Sequence, residues 1–146
     1  MGSNLNDERG QFHFTIYRLY GLTQFYYIYY AIINCMEKTL NKNLEIAKTI
    51  INEEVEKAGY KVDRIFLFGS RARGDYKEGS DWDFFVLIDK DIFKEDLKII
   101  LRNIRRRMAI NNISNDIVVK SKETYKNQIN DAGFLSYYVN KEGVSL

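Results

Sequence analysis

Two stretches decide the fold: Ile65-Phe66-Leu67-Phe68-Gly69-Ser70 and, after ten intervening residues, Asp81-Trp82-Asp83-Phe84-Phe85-Val86-Leu87-Ile88. The first is a short apolar run stopped by glycine, the pattern of a buried strand. The second reads as a strand too. Side chains alternate along it, so Asp81, Asp83, Phe85 and Leu87 share one face, and Trp82, Phe84, Val86 and Ile88 the other. Between them lies a polar, glycine-punctuated loop from Ser70 to Ser80.

Helices are expected around this pair. Upstream, Leu40, Leu44, Ala47, Ile50, Ile51 and Val55 recur at spacings of three and four, and Gly59 follows the last apolar turn. Downstream, Leu97, Ile100, Leu101, Ile104 and Met108 mark a helix over Ile92 to Met108. A third strand is expected from Asn115 to Val119. Short helices follow around Glu123–Ile129 and Phe134–Asn140, with a last strand at Val144 to Leu146. This order predicts an α/β (α+β) domain with a small mixed β-sheet flanked by helices.

The first 35 residues read differently. From Leu19 to Cys35 there is no charge, and Phe25, Tyr26, Tyr27, Tyr29 and Tyr30 crowd together. The stretch is short for a membrane span and is interrupted by Gly21, Thr23, Gln24 and Asn34. A secretory signal would open on basic residues, whereas this segment opens with Asp7, Glu8 and Arg9. Residues 1–35 are therefore taken as an N-terminal extension, with Met36 a possible natural start and 36–146 the functional domain. An extra helix or strand docked on that domain is the alternative.

Composition narrows the chemistry. The 146 residues carry 22 basic and 20 acidic side chains, a formal charge of +2, and so make no demand for nucleic acid. The densest basic run, Arg102, Arg105, Arg106 and Arg107, reads as the solvated face of a helix before it reads as a polyanion site. One cysteine, Cys35, leaves no disulfide framework or cysteine-rich zinc site. One histidine, His13, removes histidine-based metal sites and Ser-His or Cys-His catalysis. Any metal must be held by oxygen, which points to magnesium or manganese.

Taken alone, Asp81-x-Asp83 could be two surface aspartates at a strand edge. Beside it, however, Gly69-Ser70 stands where a strand turns into a short helix. Glycine there lets the backbone approach a ligand closely, and the adjacent amides and the Ser70 hydroxyl suit phosphate. Two carboxylates on one face repel unless a cation sits between them, and Asp116 is a natural third if its strand lies alongside. A phosphate cradle beside a two-metal carboxylate site is what nucleotidyl transfer requires. Arg71 and Arg73 could neutralise a leaving pyrophosphate or support the fold.

Gly69-Ser70, ten residues, then Asp81-x-Asp83 resembles the G-S-x10-D-x-D signature of the minimal nucleotidyltransferases in the polymerase-beta superfamily. Gly69-Ser-Arg-Ala-Arg-Gly-Asp75, Gly79-Ser-Asp-Trp-Asp83, Asn115-Asp-Ile-Val-Val119 and Lys141-Glu-Gly-Val144 extend the likeness from about Met36 to Leu146. The resemblance implies a polymerase-beta-like fold. It implies that Asp81, Asp83 and Asp116 hold two Mg2+ ions (Mn2+ being the alternative), and that Gly69 and Ser70 hold the β- and γ-phosphates of ATP. Members of the family often serve as antitoxins of HEPN-domain ribonuclease toxins, some by attaching AMP to a toxin tyrosine. By that likeness the expected partner is a HEPN toxin, the role that of a type VII-like antitoxin, and the setting cytoplasmic. Transfer to a small molecule or a nucleic acid, and neutralisation by contact alone, are the alternatives.

Overall fold

The computed structural model describes residues 23–146. The chain divides into two compact units, Met1–Lys42 and Asn43–Leu146. Helix α1 runs from Thr23 to Lys57 and so passes through both Met36 and the boundary between the units. The uncharged aromatic stretch is thus helical from Thr23 onward, while its first residues, with His13, lie outside the described part. Among the described residues, no helix is long and apolar enough to cross a membrane.

Within Asn43–Leu146 the order is the end of α1, β1 (Val62–Phe68), α2 (Gly69–Arg73), β2 (Trp82–Ile88), α3 (Lys94–Ile110), β3 (Asn115–Ser121), α4 (Lys122–Gln128), α5 (Leu135–Glu142) and β4 (Val144–Ser145). The four strands form one sheet in the order β3-β2-β1-β4. β1 is antiparallel to β2 and β4, and β2 is parallel to β3. The mixed sheet expected from the sequence is therefore present, and the α3 crossover explains how two strands separated by a helix lie parallel.

Register decides which side chains share a face. Phe66 pairs with Phe85 and Phe68 with Asp83, while Asp83 pairs with Asp116 and Phe85 with Val118. This face carries an apolar cluster of Phe66, Phe85, Leu87 and Val139, with Phe68, Val118 and Tyr125 packed on it. The opposite face carries Ile65, Leu67, Trp82, Phe84, Val86, Ile117 and Val119, all buried. Ala47, Ile50, Ile51 and Val55 of α1 are buried, as are Ile100, Ile104 and Met108 of α3, which accounts for the helical spacings in the sequence.

Polar contacts fix α1 to α3. Glu54, only 6% exposed, accepts hydrogen bonds from Arg107 at 2.7 Å, Lys57 at 2.8 Å and Asn103 at 3.2 Å. Arg107 also pairs with Glu53 at 2.6 Å. These partners hold the Glu54 carboxyl below its usual range, the Lys57 hydrogen bond most strongly, against the opposing effect of burial. After α1 the chain turns at Gly59, φ +84°, and Tyr60 donates to Asp96 at 2.7 Å.

The tail closes the other edge. Gly143 ends α5 with its amide donating to the Val139 carbonyl at 2.9 Å. A Cβ at Gly143 would overlap that same carbonyl oxygen and crowd Val139 Cγ1 at 3.2 Å. Glycine is needed there for space rather than for an unusual φ. Its turn sends Val144 and Ser145 alongside Leu67 and Phe66 of β1, the strand that ends just before Gly69.

Candidate active site

The site gathers where β1, β2 and β3 present neighbouring residues of one sheet face. Asp83 stands in the middle. Phe68, the last residue of β1, pairs with it on one side, and Asp116 of β3 pairs with it on the other. Gly69 follows Phe68 at φ +69°, a conformation that side chains resist. A Cβ at Gly69 would overlap Asp83 Oδ2 and lie 3.0 Å from Cγ. The glycine thus lets the start of α2 sit directly against the Asp83 carboxylate.

Electrostatics follow from the crowding. Burial raises the Asp83 carboxyl above its usual range, the like charges of Asp116 and Asp81 add to that, and Arg73 and Arg71 oppose it. Asp81 immediately precedes β2 and is exposed; its Oδ1 accepts a short hydrogen bond from Ser114 Oγ. The Trp82 amide donates to the Ser114 carbonyl at 2.9 Å, so the residue before β3 secures the start of β2 twice. Asp116 is exposed and pairs with Arg105 of α3 at 3.7 Å.

Three of the expected residues, Asp81, Asp83 and Asp116, are therefore adjacent in the sheet or flank it. Their oxygens do not converge on one point: as they stand without ligand, no three metal-ligating side chains among the described residues are grouped as a ready-made ion site. Asp81 is turned to Ser114 and Asp116 to Arg105. The donor set is all oxygen and suits a hard cation, and magnesium usually takes one or two carboxylates and completes its shell with phosphate and water. The described carboxylates do not form a closed protein cage.

Ser70 lies in the first turn of α2, and its carbonyl accepts from the amides of Gly74 and Asp75 at 2.9 and 3.1 Å. Arg71 is committed to the loop. Its Nη2 and Nε donate to the Ser80 carbonyl at 2.7 and 3.1 Å, and its guanidinium lies over the Trp82 and Tyr76 rings at 4.3 and 4.7 Å. Arg73 is exposed and contacts Asp75 at 3.4 Å and Glu142 at 3.9 Å, pairs that restrain it little.

Two residues of the site had little sequence signal. Ser114 is one serine before a strand, and only the pairing of β2 with β3 brings it to Asp81. Arg105 belongs to the basic run read as a solvated face. The structure divides that run, with Arg105 directed to Asp116 and Arg107 to Glu53 and Glu54.

Gly69, directly after β1, thus packs on Asp83 next to the further carboxylates Asp81 and Asp116 of a mixed sheet. The chain belongs to the nucleotidyltransferase domain family, whose model matches residues 44–136, well over half of its length. Its mixed α/β architecture is of the polymerase-beta-like type. It is also similar to a provisionally named protein adenylyltransferase of Methanocaldococcus jannaschii, with 54% identity over 41 residues, 27% of this chain and 41% of the relative. The match thus spans less than half the length of that protein.

Proposed function

We propose that the protein transfers AMP from ATP to a tyrosine hydroxyl of a partner protein, a HEPN-type ribonuclease toxin, and so acts as its antitoxin. The observation that carries this reading is the contact of Gly69 with Asp83, in register with Asp116, within a nucleotidyltransferase domain. The short similarity to a protein adenylyltransferase supports a protein acceptor over a sugar or a nucleic-acid end.

In this reading Gly69 and Ser70 take the β- and γ-phosphates. Asp81, Asp83 and Asp116 would hold two Mg2+ ions, which screen the triphosphate and lower the barrier to attack when bound. Arg73, already within electrostatic reach of Asp83, stabilises charge on the departing pyrophosphate. Arg71 keeps the Ser70–Ser80 loop closed beneath it. The phenolic oxygen bonds to the α-phosphorus, the bond to the bridging oxygen breaks, and pyrophosphate leaves with the electron pair. Asp116 takes the phenolic proton.

Labelled ATP, magnesium and the product of the adjacent gene test the proposal. Stable labelling of that protein on tyrosine, with loss of its ribonuclease activity, is the expected result. Equal silencing by Asp81→Asn and Asp83→Asn chains would overturn it in favour of neutralisation by contact.

A further inference from the structure

The three carboxylates of the site are not held alike. Asp83 and Asp116 lie within β2 and β3 and pair with each other in the ladder, so the strands fix where their side chains stand. Asp81 comes one residue before β2 and is exposed. Its backbone is held from both sides, by the Arg71 guanidinium on the Ser80 carbonyl and by the Trp82 amide on the Ser114 carbonyl. Neither bond directs the carboxylate. That falls to Ser114, whose Oγ donates to Asp81 Oδ1.

Ser114 is itself firmly placed. α3 ends in a turn where the Asn112 amide donates to the Ala109 carbonyl at 3.0 Å and the Ile113 amide to the Met108 carbonyl at 2.9 Å, with Asn112 at φ +56°. Ile113, 1% exposed, anchors the chain just before Ser114. Just after it, Asn115 Nδ2 donates back to the Ile113 carbonyl at 2.9 Å. The hydroxyl thus reaches Asp81 from a braced position, whereas Asp81 is the one carboxylate of the three outside the strands.

We infer that Ser114 is a positioning residue: its hydroxyl sets the direction of the Asp81 carboxylate, and through it the preference of the site for magnesium over calcium. The inference rests on the proposed use of Asp81 as a metal ligand. A carboxylate has two oxygens with about four acceptor positions between them, so one hydrogen bond to Oδ1 orients the group and leaves it able to bind a cation. Removing such a bond behind a metal ligand typically costs about 10- to 100-fold in metal affinity or activity. Magnesium requires near-octahedral ligands at short distance, whereas calcium accepts more ligands in looser arrangements. Loss of the orienting hydroxyl therefore falls on magnesium more than on calcium.

Ser114→Ala isolates the contact, because the carbonyl that receives the Trp82 amide stays in place. The test measures the affinity of the full chain for α,β-methylene-ATP, an analogue that cannot release pyrophosphate, in MgCl2, in CaCl2 and in EDTA. Ser114→Ala should weaken binding in MgCl2 about tenfold, equivalent to about 1.4 kcal/mol, and change it little in CaCl2 or EDTA. Ser114→Thr should restore the magnesium response, and Ser114→Val, of the same shape as threonine without the hydroxyl, should not. This second pair decides the matter if the alanine chain does not fold. Equal losses in all three solutions would show a purely structural serine, and unchanged affinity in MgCl2 an idle one; either overturns the inference. A parent chain whose affinity is indifferent to metal overturns the proposed metal site and this inference together. A parent that responds to metal, with a Ser114→Ala chain that responds alike, overturns the inference alone.

Discussion

Gly69 and Asp83 lie against each other across the β1–β2 pair, so that the smallest side chain at position 69 would occupy the space of the Asp83 carboxylate. The same glycine is held at φ +69°. Space and backbone conformation therefore demand glycine independently, and the first of these demands concerns only the site.

Gly69→Ala is expected to cost about 2 kcal/mol from the left-handed conformation and the displaced carboxylate. Because a shift of about 1 Å at reacting groups can cost about a hundredfold in rate, transfer should fall far more than stability does. Thermal melts and labelled-ATP transfer, run side by side, measure the two losses.

The raised Asp83 carboxyl makes a pH-dependent prediction for the nucleotide-free chain. Its pKa is higher folded than unfolded, so between the two values the folded state binds the extra proton, and stability falls as pH rises through that window. Asp83→Asn should thus raise the melting temperature near about pH 7, and the gain should vanish below the unfolded aspartate value of about 3.9. A variant that melts lower than the parent near neutral pH would contradict the assigned crowding.

Glu54 has the opposite sign. Its lowered pKa contributes stability above the unfolded glutamate range, and this is lost as pH falls through the folded value. Arg107→Ala removes one of three hydrogen bonds to this buried carboxylate and should cost about 2 kcal/mol in denaturant melts. Arg102→Ala, on an exposed position of the same helix, should cost little.

Removal of divalent metal should abolish transfer, and binding of Mg2+ without nucleotide should be weak, because no three carboxylates converge. Calorimetric titration of MgCl2 with and without ATP reads this directly. Asp116→Asn should retain ATP binding and lose transfer, since Asp116 lies on the β3 side, away from Gly69 and Ser70.

Arg71→Ala should open the loop by removing both bonds to the Ser80 carbonyl and the stacking on Trp82 and Tyr76. Faster protease cleavage within residues 74–80 is the expected readout, with Arg71→Lys rescuing it poorly because a lysine cannot make the paired contacts.

The strands and helices were legible because their apolar residues recur at spacings that only burial on one face requires. The β1 run Ile65–Phe68 and the α3 stripe Ile100, Ile104 and Met108 are examples. Asp81, Asp83 and Gly69 were singled out because a glycine-serine pair after one strand and Asp-x-Asp at the start of the next resemble a known motif, and the structure brings Gly69 onto Asp83. Ser114 was not, since its contact with Asp81 needs β3 beside β2, a pairing between residues about thirty apart on which Asp116 too was only conditionally named, and Arg105 was not, since a basic run on a helix points to no single partner. Arg71 shows a further limit: a cation beside a phosphate motif is equally compatible with a loop clasp, and only its contacts separate the two roles.

The engagement of Asp81 with Ser114 and Asp116 with Arg105 also bears on which ions the protein can lose itself to. A preformed ring of ligands binds copper, nickel and zinc more tightly than magnesium, whatever the chemistry needs. Here no three metal-ligating side chains among the described residues group into such a ring. Under the proposed function, a cation carried in with the triphosphate would meet these carboxylates only when nucleotide binds, and mismetallation of the free chain would be disfavoured without a selective filter.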